Sequence, residues 1–129
     1  MESEYRVRVD GVGPRDAKIV IIGESLGETE EKHRQPFVGM AGKVLDGILE
    51  EVGIKREECY ITNLYKYRPP KNDIALVEKQ ELARAKDELI EELLSLQPNV
   101  IVPLGEYALQ AVTEKRGVTK WRGSVIESR

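Results

Sequence analysis

The chain has 129 residues, of which 40% are hydrophobic and 33% are charged, and its formal net charge is −3 at pH 7. These values predict a single globular domain, residues 1–129, and exclude an overall positive field that would attract nucleic acid, so such binding needs a local basic patch. The N-terminus lacks the profile of a secretory signal, and no apolar run approaches the length of a membrane span. We therefore expect a cytoplasmic protein that does not bind membranes.

The chain contains one cysteine, Cys59, which lies in an apolar run. One cysteine cannot form an internal disulfide, a zinc ribbon or a four-thiolate iron-sulfur site within this chain. The acidic residues Glu24, Glu28, Glu30 and Glu31 lack the accompanying histidine or aspartate spacing of a metal site. We expect no metal and no other cofactor.

The first predicted element is a buried strand at residues 17–23, AKIVIIG, which ends at a glycine. The polar loop ESLGETEEKHRQPFVGM follows, and its length indicates a functional segment because such connections normally have about two to six residues. The next segment, AGKVLDGILEEVG, predicts an amphipathic helix that stops at Gly53. Its apolar face comprises Val44, Leu45, Ile48, Leu49 and Val52.

A second buried strand is predicted at residues 59–63, CYITN, and the basic loop LYKYRPPKND follows it. A long helix is then predicted from Val77 to Gln97, and a third strand at 99–105, NVIVPLG, with Pro103 near its end. Another helix follows from about Glu106 to Thr113, and WRGSVIES is a candidate fourth strand. This alternation predicts an α/β fold around a parallel sheet.

The stretch from Gly23 to Gly27, GESLG, fits the G-x-S-x-G elbow in which a serine acts as a nucleophile. Such a serine needs a histidine base delivered from a distant segment. The only histidine is His33, in the same loop as Ser25. The sequence therefore disfavours Ser25 as a nucleophile, and it also lacks the glycine patterns of dinucleotide and P-loop sites.

Longer motifs across the chain resemble those of the uracil-DNA glycosylase superfamily. They are IIGESLGETEE, QPFVGMAGKVLD, YITNLYKYRPPKND and NVIVPLG followed by VTKWRGS. The resemblance runs from about Gly11 to Gly123 and is closest to the family 4 type and to the related domain of phage-type DNA polymerases. It implies a three-layer α/β/α sandwich with a central parallel sheet of about four strands. It also implies DNA repair by hydrolysis of the N-glycosidic bond of a flipped deoxyuridine, which releases uracil.

The resemblance assigns roles to residues that follow the first two strands. Asn63 lies where the family reads the uracil edge, and Phe37 lies where it stacks a ring on the base. The turn containing Gly23 and Ser25 would bind the base and offer backbone N–H groups to its developing negative charge. The carboxylates that would support the cationic sugar or orient water are those of Glu24 and Glu30. A structural role remains the alternative for Asn63, Phe37 and both glutamates.

Two basic loops, YKYRPPKN and KRGVTKWRG, interleave cations with aromatic residues. Such mixtures suit a phosphate backbone with exposed bases, although both could be ordinary surface loops. The candidate DNA contacts are Lys66, Arg68, Lys71, Asn72 and Arg122. The expected partners are uracil-containing DNA, single- or double-stranded, and a DNA polymerase or replication factor.

The chain departs from the family pattern in two main ways. The family's late motif, a histidine followed by proline and serine, is absent from a chain that ends at Arg129. We therefore expect a domain that is C-terminally incomplete relative to the family and slow or inactive by itself. The family 4 iron-sulfur cysteines are also missing, with Tyr67 at the position of one, and Leu26 replaces a proline. These departures leave a second interpretation, a catalytically weak or inactive module that binds single-stranded DNA or accompanies a phage-type polymerase.

Overall fold

A computed structural model describes residues 6–113 and the backbone of residues 124–125. Its elements, in chain order, are β1 (Ile19–Gly23), α1 (Glu28–His33), α2 (Met40–Glu51), β2 (Tyr60–Asn63), α3 (Lys79–Leu96), β3 (Val100–Pro103), α4 (Glu106–Thr113) and β4 (Ser124–Val125). Short 3-10 turns lie at Arg56–Glu58, Pro70–Asn72 and Ile74–Leu76. The predicted alternation of strands and helices is confirmed for β1 to β3 and for α2 to α4. No helix within residues 6–113 is long and apolar enough to cross a membrane.

The sheet is parallel, and β1 lies at its centre between β2 and β3. Gly23 of β1 is opposite Asn63 of β2, and Ile22 is opposite Pro103, the last residue of β3. The two-residue β4 pairs in parallel with β3 on its outer side. Because β1 and β2 end in the same register, the loops that follow them begin side by side.

Helices cover both faces of the sheet, as the three-layer prediction requires. On one face, α3 and α4 pack against Val20 and Ile22 of β1. On the other face, α2 contributes Leu45 and Leu49, which pack against Ile21. Neighbouring residues of β1 serve opposite layers because successive side chains of a strand point to opposite faces.

The helix α2 buries only part of its predicted apolar face. Leu45 and Leu49 are buried, but Val44, Ile48 and Val52 are between 47% and 63% exposed. The two rows lie side by side on the helix because residues four apart stack on one face. The exposed row faces a broad cavity between α2 and the sheet. The spacing of apolar residues in the sequence predicts the apolar face of α2 but does not show which part of that face packs against the sheet.

The long loop after β1 contains a helix that the sequence prediction missed. The helix α1 has three glutamates in its first turn and Lys32 and His33 in its last turn, an order that complements the helix dipole. It contains no buried residue. A fully polar helix has no hydrophobic periodicity, which is the signal that sequence prediction depends on.

Candidate functional site

A cavity of about 1190 Å³ opens at the carboxyl ends of β1 and β2. Its polar end is lined by the predicted site residues Gly23, Glu24, Ser25, Glu30, Phe37 and Asn63, and its other wall is formed by apolar side chains of α2, β1 and β3. Ligands of open parallel sheets bind beyond the carboxyl ends of the strands. The structure therefore brings the predicted catalytic and base-binding residues to one cavity at the expected edge.

Asn63 and Phe37 meet above Gly23. A Cβ atom built on Gly23 would overlap both Asn63 Oδ1 and the Phe37 ring, so only glycine leaves room for the two side chains. Asn63 is 3% exposed. The side chains predicted to read and to stack on a base thus share one hollow.

The backbone of Phe37 is in the left-handed region, with φ 54°. A bulky side chain rarely adopts this conformation, so the surrounding structure must stabilise it. On one side the Phe37 carbonyl lies against Gly42 of α2, where a Cβ atom would overlap it. On the other side the N–H groups of Val38 and Gly39 donate to Glu30 Oε2 at 3.2 and 2.8 Å. These contacts hold the ring over the cavity.

Glu30, one of the two predicted catalytic carboxylates, binds the backbone of its own loop. In addition to the two bonds at Oε2, its Oε1 accepts a hydrogen bond from the Gly27 N–H at 3.0 Å. Burial alone would raise the pKa of Glu30, but hydrogen bonds from backbone N–H groups outweigh burial and lower the pKa below its ordinary value. Glu30 is therefore a charged side chain that holds the loop through its backbone N–H groups. A catalytic role for Glu30 stays a prediction.

Glu24, the other predicted carboxylate, connects β1 to α4. Its Oε2 accepts a hydrogen bond from the Tyr107 N–H in the first turn of α4, at 3.0 Å. A negative charge is favourable there because the first N–H groups of a helix lack helical partners. Gly105, with φ 101°, precedes the helix, and a Cβ atom on it would overlap the same carboxylate. Glu24 also lines the cavity, so it stands between α4 and the candidate base site.

The sequence model of the uracil DNA glycosylase superfamily matches residues 11–128 of this chain. The chain belongs to that superfamily. It is 40% identical over 124 residues to the type-4 uracil-DNA glycosylase of Archaeoglobus fulgidus and 42% identical over 121 residues to that of Thermotoga maritima. Each alignment covers 92% of this chain but only 61% and 62% of the respective relative. The chain thus spans about three fifths of the length of these curated relatives.

A second kind of relative is a DNA polymerase of Bacillus phage SP01. It is 33% identical over 118 residues, which cover 91% of this chain and 13% of the polymerase. Both branches that the motifs resemble, the type-4 glycosylases and the phage polymerase domain, are therefore found among the relatives. The predicted family membership is confirmed.

The structure corrects the predicted role of Lys66 as a DNA contact. In this superfamily member the Lys66 side chain is 3% exposed and lies on the α3 side of the sheet. Its Nζ donates to the Asn63 carbonyl at 2.5 Å and lies 3.0 Å from Glu92 Oε1. A buried and paired ammonium does not reach a phosphate outside the protein. Sequence reasoning missed this because alternating cations and aromatic residues are typical of exposed loops.

The remaining DNA-binding candidates of the first basic loop are at the surface. Arg68 Nε donates to Asn72 Oδ1 at 2.7 Å, and one of its terminal nitrogens lies 3.7 Å from Glu31 Oε1. Lys71 and Asn72 are exposed and have φ of 54° and 58°. The loop is thus held in a defined turn that presents Lys71 to solvent. Arg122, the last candidate, lies outside the described residues.

Two arginines near the N-terminus form a cluster that the sequence did not indicate. The Arg6 guanidinium lies 4.0 Å from the centroid of the Tyr67 ring, and that of Arg8 lies 6.0 Å from it. Arg6 pairs with Glu81 at 2.6 Å and Arg8 pairs with Glu88 at 2.5 Å, both on α3. Cation–π contacts and ion pairs thus join the N-terminal segment, the basic loop and α3.

Within residues 6–113, no group of three or more His, Cys, Asp or Glu side chains could hold a metal ion.

Proposed function

We propose that this chain is a uracil-DNA glycosylase that hydrolyses the N-glycosidic bond of a deoxyuridine taken out of the base stack. The observation that carries the proposal is the convergence of Asn63 and Phe37 over Gly23 in a cavity at the carboxyl edge of the sheet. The relatives whose names describe type-4 uracil-DNA glycosylases support the same activity.

Asn63 is suited to distinguish uracil from cytosine. Its carboxamide offers an acceptor and a donor side by side, which complement the N3–H and O4 of uracil, whereas cytosine reverses both positions. The side chain is buried, so a base that leaves its polar atoms unpaired loses more free energy than it would in water. Phe37 would stack on the face of the same base.

Cleavage breaks the C1′–N1 bond, and the electron pair leaves with the uracil ring. Backbone N–H groups in the turn of Gly23 and Ser25 would stabilise the negative charge that develops on uracil O2. The sugar becomes cationic and forms a bond from C1′ to the oxygen of a water molecule, which releases one proton to solvent, and the uracil anion takes up one proton from solvent. Of the two predicted catalytic carboxylates, Glu24 is better placed to face the sugar, because Glu30 is already engaged by three backbone donors.

The surface loop with Arg68, Lys71 and Asn72 would bind the phosphate backbone of single- or double-stranded DNA beside the cavity. We further propose that residues 1–129 form one domain acting on DNA in the cytoplasm. We also propose a DNA polymerase or replication factor as a partner.

The test is the release of free uracil from a single-stranded oligonucleotide that contains one deoxyuridine. We expect slow release by the chain and a further loss of about 100-fold or more in Asn63→Ala, with unchanged affinity for uracil-free DNA. Asn99→Ala, at an exposed asparagine before β3 that does not line the cavity, is the matched control and should retain release. If the chain binds single-stranded DNA in a salt-dependent way but yields no product at high protein concentration, it is a DNA-binding module and the proposal is wrong.

A further inference from the structure

Lys66 donates a hydrogen bond to the residue that reads the base. Its ammonium binds the Asn63 carbonyl at 2.5 Å. The N–H of the same peptide unit, that of Leu64, donates to the Gly23 carbonyl at 2.9 Å. The peptide plane after Asn63 is therefore held at both ends, by β1 on one side and by Lys66 on the other. This plane sets the backbone dihedral angle ψ of Asn63.

The ammonium is in turn held by α3. Glu92 of α3 places Oε1 3.0 Å from Lys66 Nζ, and its Oε2 accepts a hydrogen bond from the Tyr60 hydroxyl at 2.7 Å. Burial and the hydrogen bond to Glu92 raise the pKa of Tyr60, so its hydroxyl keeps the proton that it donates. A buried cation is costly unless an anion and hydrogen bonds compensate it, and Glu92 supplies that anion.

We propose that Lys66 is a positioning residue for uracil recognition, and that Glu92 holds it in place on the face of the sheet opposite the cavity. Lys66 and Glu92 belong to the layer of α3, whereas the Asn63 side chain faces the cavity on the side of α2. Lys66 acts through the backbone of Asn63 and does not touch the base. The catalytic part of this inference rests on the proposed function.

Stability measurements on single and double variants separate a positioning role of Lys66 from a role in stability alone. Breaking a buried pair by removing one partner destabilises a protein strongly, whereas replacing both partners by neutral groups is often tolerated. Lys66→Met alone should therefore lower the melting temperature, and Lys66→Met/Glu92→Gln should recover most of the loss, because glutamine still accepts the Tyr60 hydroxyl. Stability and positioning can thus be measured separately in the double variant.

The kinetic test is a double-mutant cycle with Asn63→Ala under single-turnover conditions, well below the melting temperature of each variant. We expect Lys66→Met/Glu92→Gln to slow uracil release by about tenfold to a hundredfold, because small displacements at a reacting centre have effects of this size. In the Asn63→Ala background the same change should have less than a twofold effect. Lys18→Met, at an exposed lysine before β1, is the matched control. An equal loss in both backgrounds would overturn the proposal.

A second readout does not depend on activity. The side-chain NH₂ signals of Asn63 in a ¹⁵N–¹H spectrum, assigned by their disappearance in Asn63→Ala, should shift or broaden in Lys66→Met/Glu92→Gln and stay unchanged in Lys18→Met. Glu92→Gln alone, which keeps Lys66, serves if the double variant does not fold and should shift the same signals. Unmoved signals would refute the positioning role. If the unaltered chain releases no uracil, the proposed function fails while these spectra still decide the role of Lys66.

Discussion

The Glu30 carboxylate accepts a hydrogen bond from the Gly39 N–H at 2.8 Å and thereby closes the loop that carries Phe37. The same carboxylate binds Val38 and Gly27, so one side chain joins the start of α1 to the start of α2. This arrangement explains how a residue with the unfavourable backbone of Phe37 is kept in place. It also predicts how the contribution of this loop to protein stability depends on pH.

Glu30→Gln should destabilise the protein by about 1–3 kcal/mol at pH 7, because an amide replaces a carboxylate that accepts three backbone hydrogen bonds. The pKa of Glu30 is lowered in the folded state, so its contribution is fully present above the ordinary value of 4.5 and is lost as the pH falls through the lowered folded pKa. Urea unfolding should therefore separate Glu30→Gln from the unaltered chain at pH 7 and bring the two together at low pH. Glu28→Gln, in the same helical turn, should show a much smaller difference. A gap between Glu30→Gln and the unaltered chain that persists at low pH would contradict this role.

Gly23→Ala should abolish uracil release, because the added methyl group occupies the space of Asn63 Oδ1 and the Phe37 ring. The displaced side chains should also lower the free energy of unfolding by about 1–3 kcal/mol. Gly47→Ala is the matched control: apart from its chain neighbours and the backbone of its own helix, no atom lies within 4 Å of its Cβ position in α2, and it should stabilise the helix by about 0.5–1 kcal/mol. Uracil release from the oligonucleotide and chemical unfolding measure the two effects, and wild-type release by Gly23→Ala would show that the two side chains do not form the base site.

Glu24→Gln separates a catalytic charge from a structural hydrogen bond. Glutamine can still accept the hydrogen bond from Tyr107, so we expect the melting temperature to change little. The lost charge should slow uracil release by about 100-fold if Glu24 stabilises the cationic sugar. Glu24→Ala should lower both the rate and the stability, the latter by about 1 kcal/mol, because the first turn of α4 loses its acceptor. An unchanged rate in Glu24→Gln would assign Glu24 to the helix terminus alone.

Arg6→Met should destabilise the protein by about 1 kcal/mol at low ionic strength, because it removes the contact with the Tyr67 ring and the ion pair with Glu81. The pair is partly exposed, so about 1 M salt should reduce the difference between the two proteins. Thermal unfolding at both salt concentrations measures this, with the exposed Lys79→Met of α3 as the control. Equal stability of Arg6→Met and the unaltered chain at low salt would show that the N-terminal segment is not held by this cluster.

The sequence by itself determined the strands β1 to β3 and the position of Asn63 at the end of β2. Continuous apolar runs between turn residues are a local property, and a parallel sheet places the ends of its strands at one edge. The long motifs around Phe37 and Asn63 are likewise sufficient to identify the family, because their residues and spacing are read directly from the chain. Helices α2, α3 and α4 followed from apolar periodicity.

Only the tertiary structure decided what several charged side chains do. Glu24 meets Tyr107, 83 positions away, and Lys66, which follows β2, meets Glu92 of α3. The burial of such a side chain and its partners depend on how the helices pack on the sheet. A lysine that binds phosphate and a lysine that binds a backbone carbonyl have the same residue type and can lie in the same local sequence pattern. The same reason explains why the pattern of α2 could not show that Ile48 faces an open cavity.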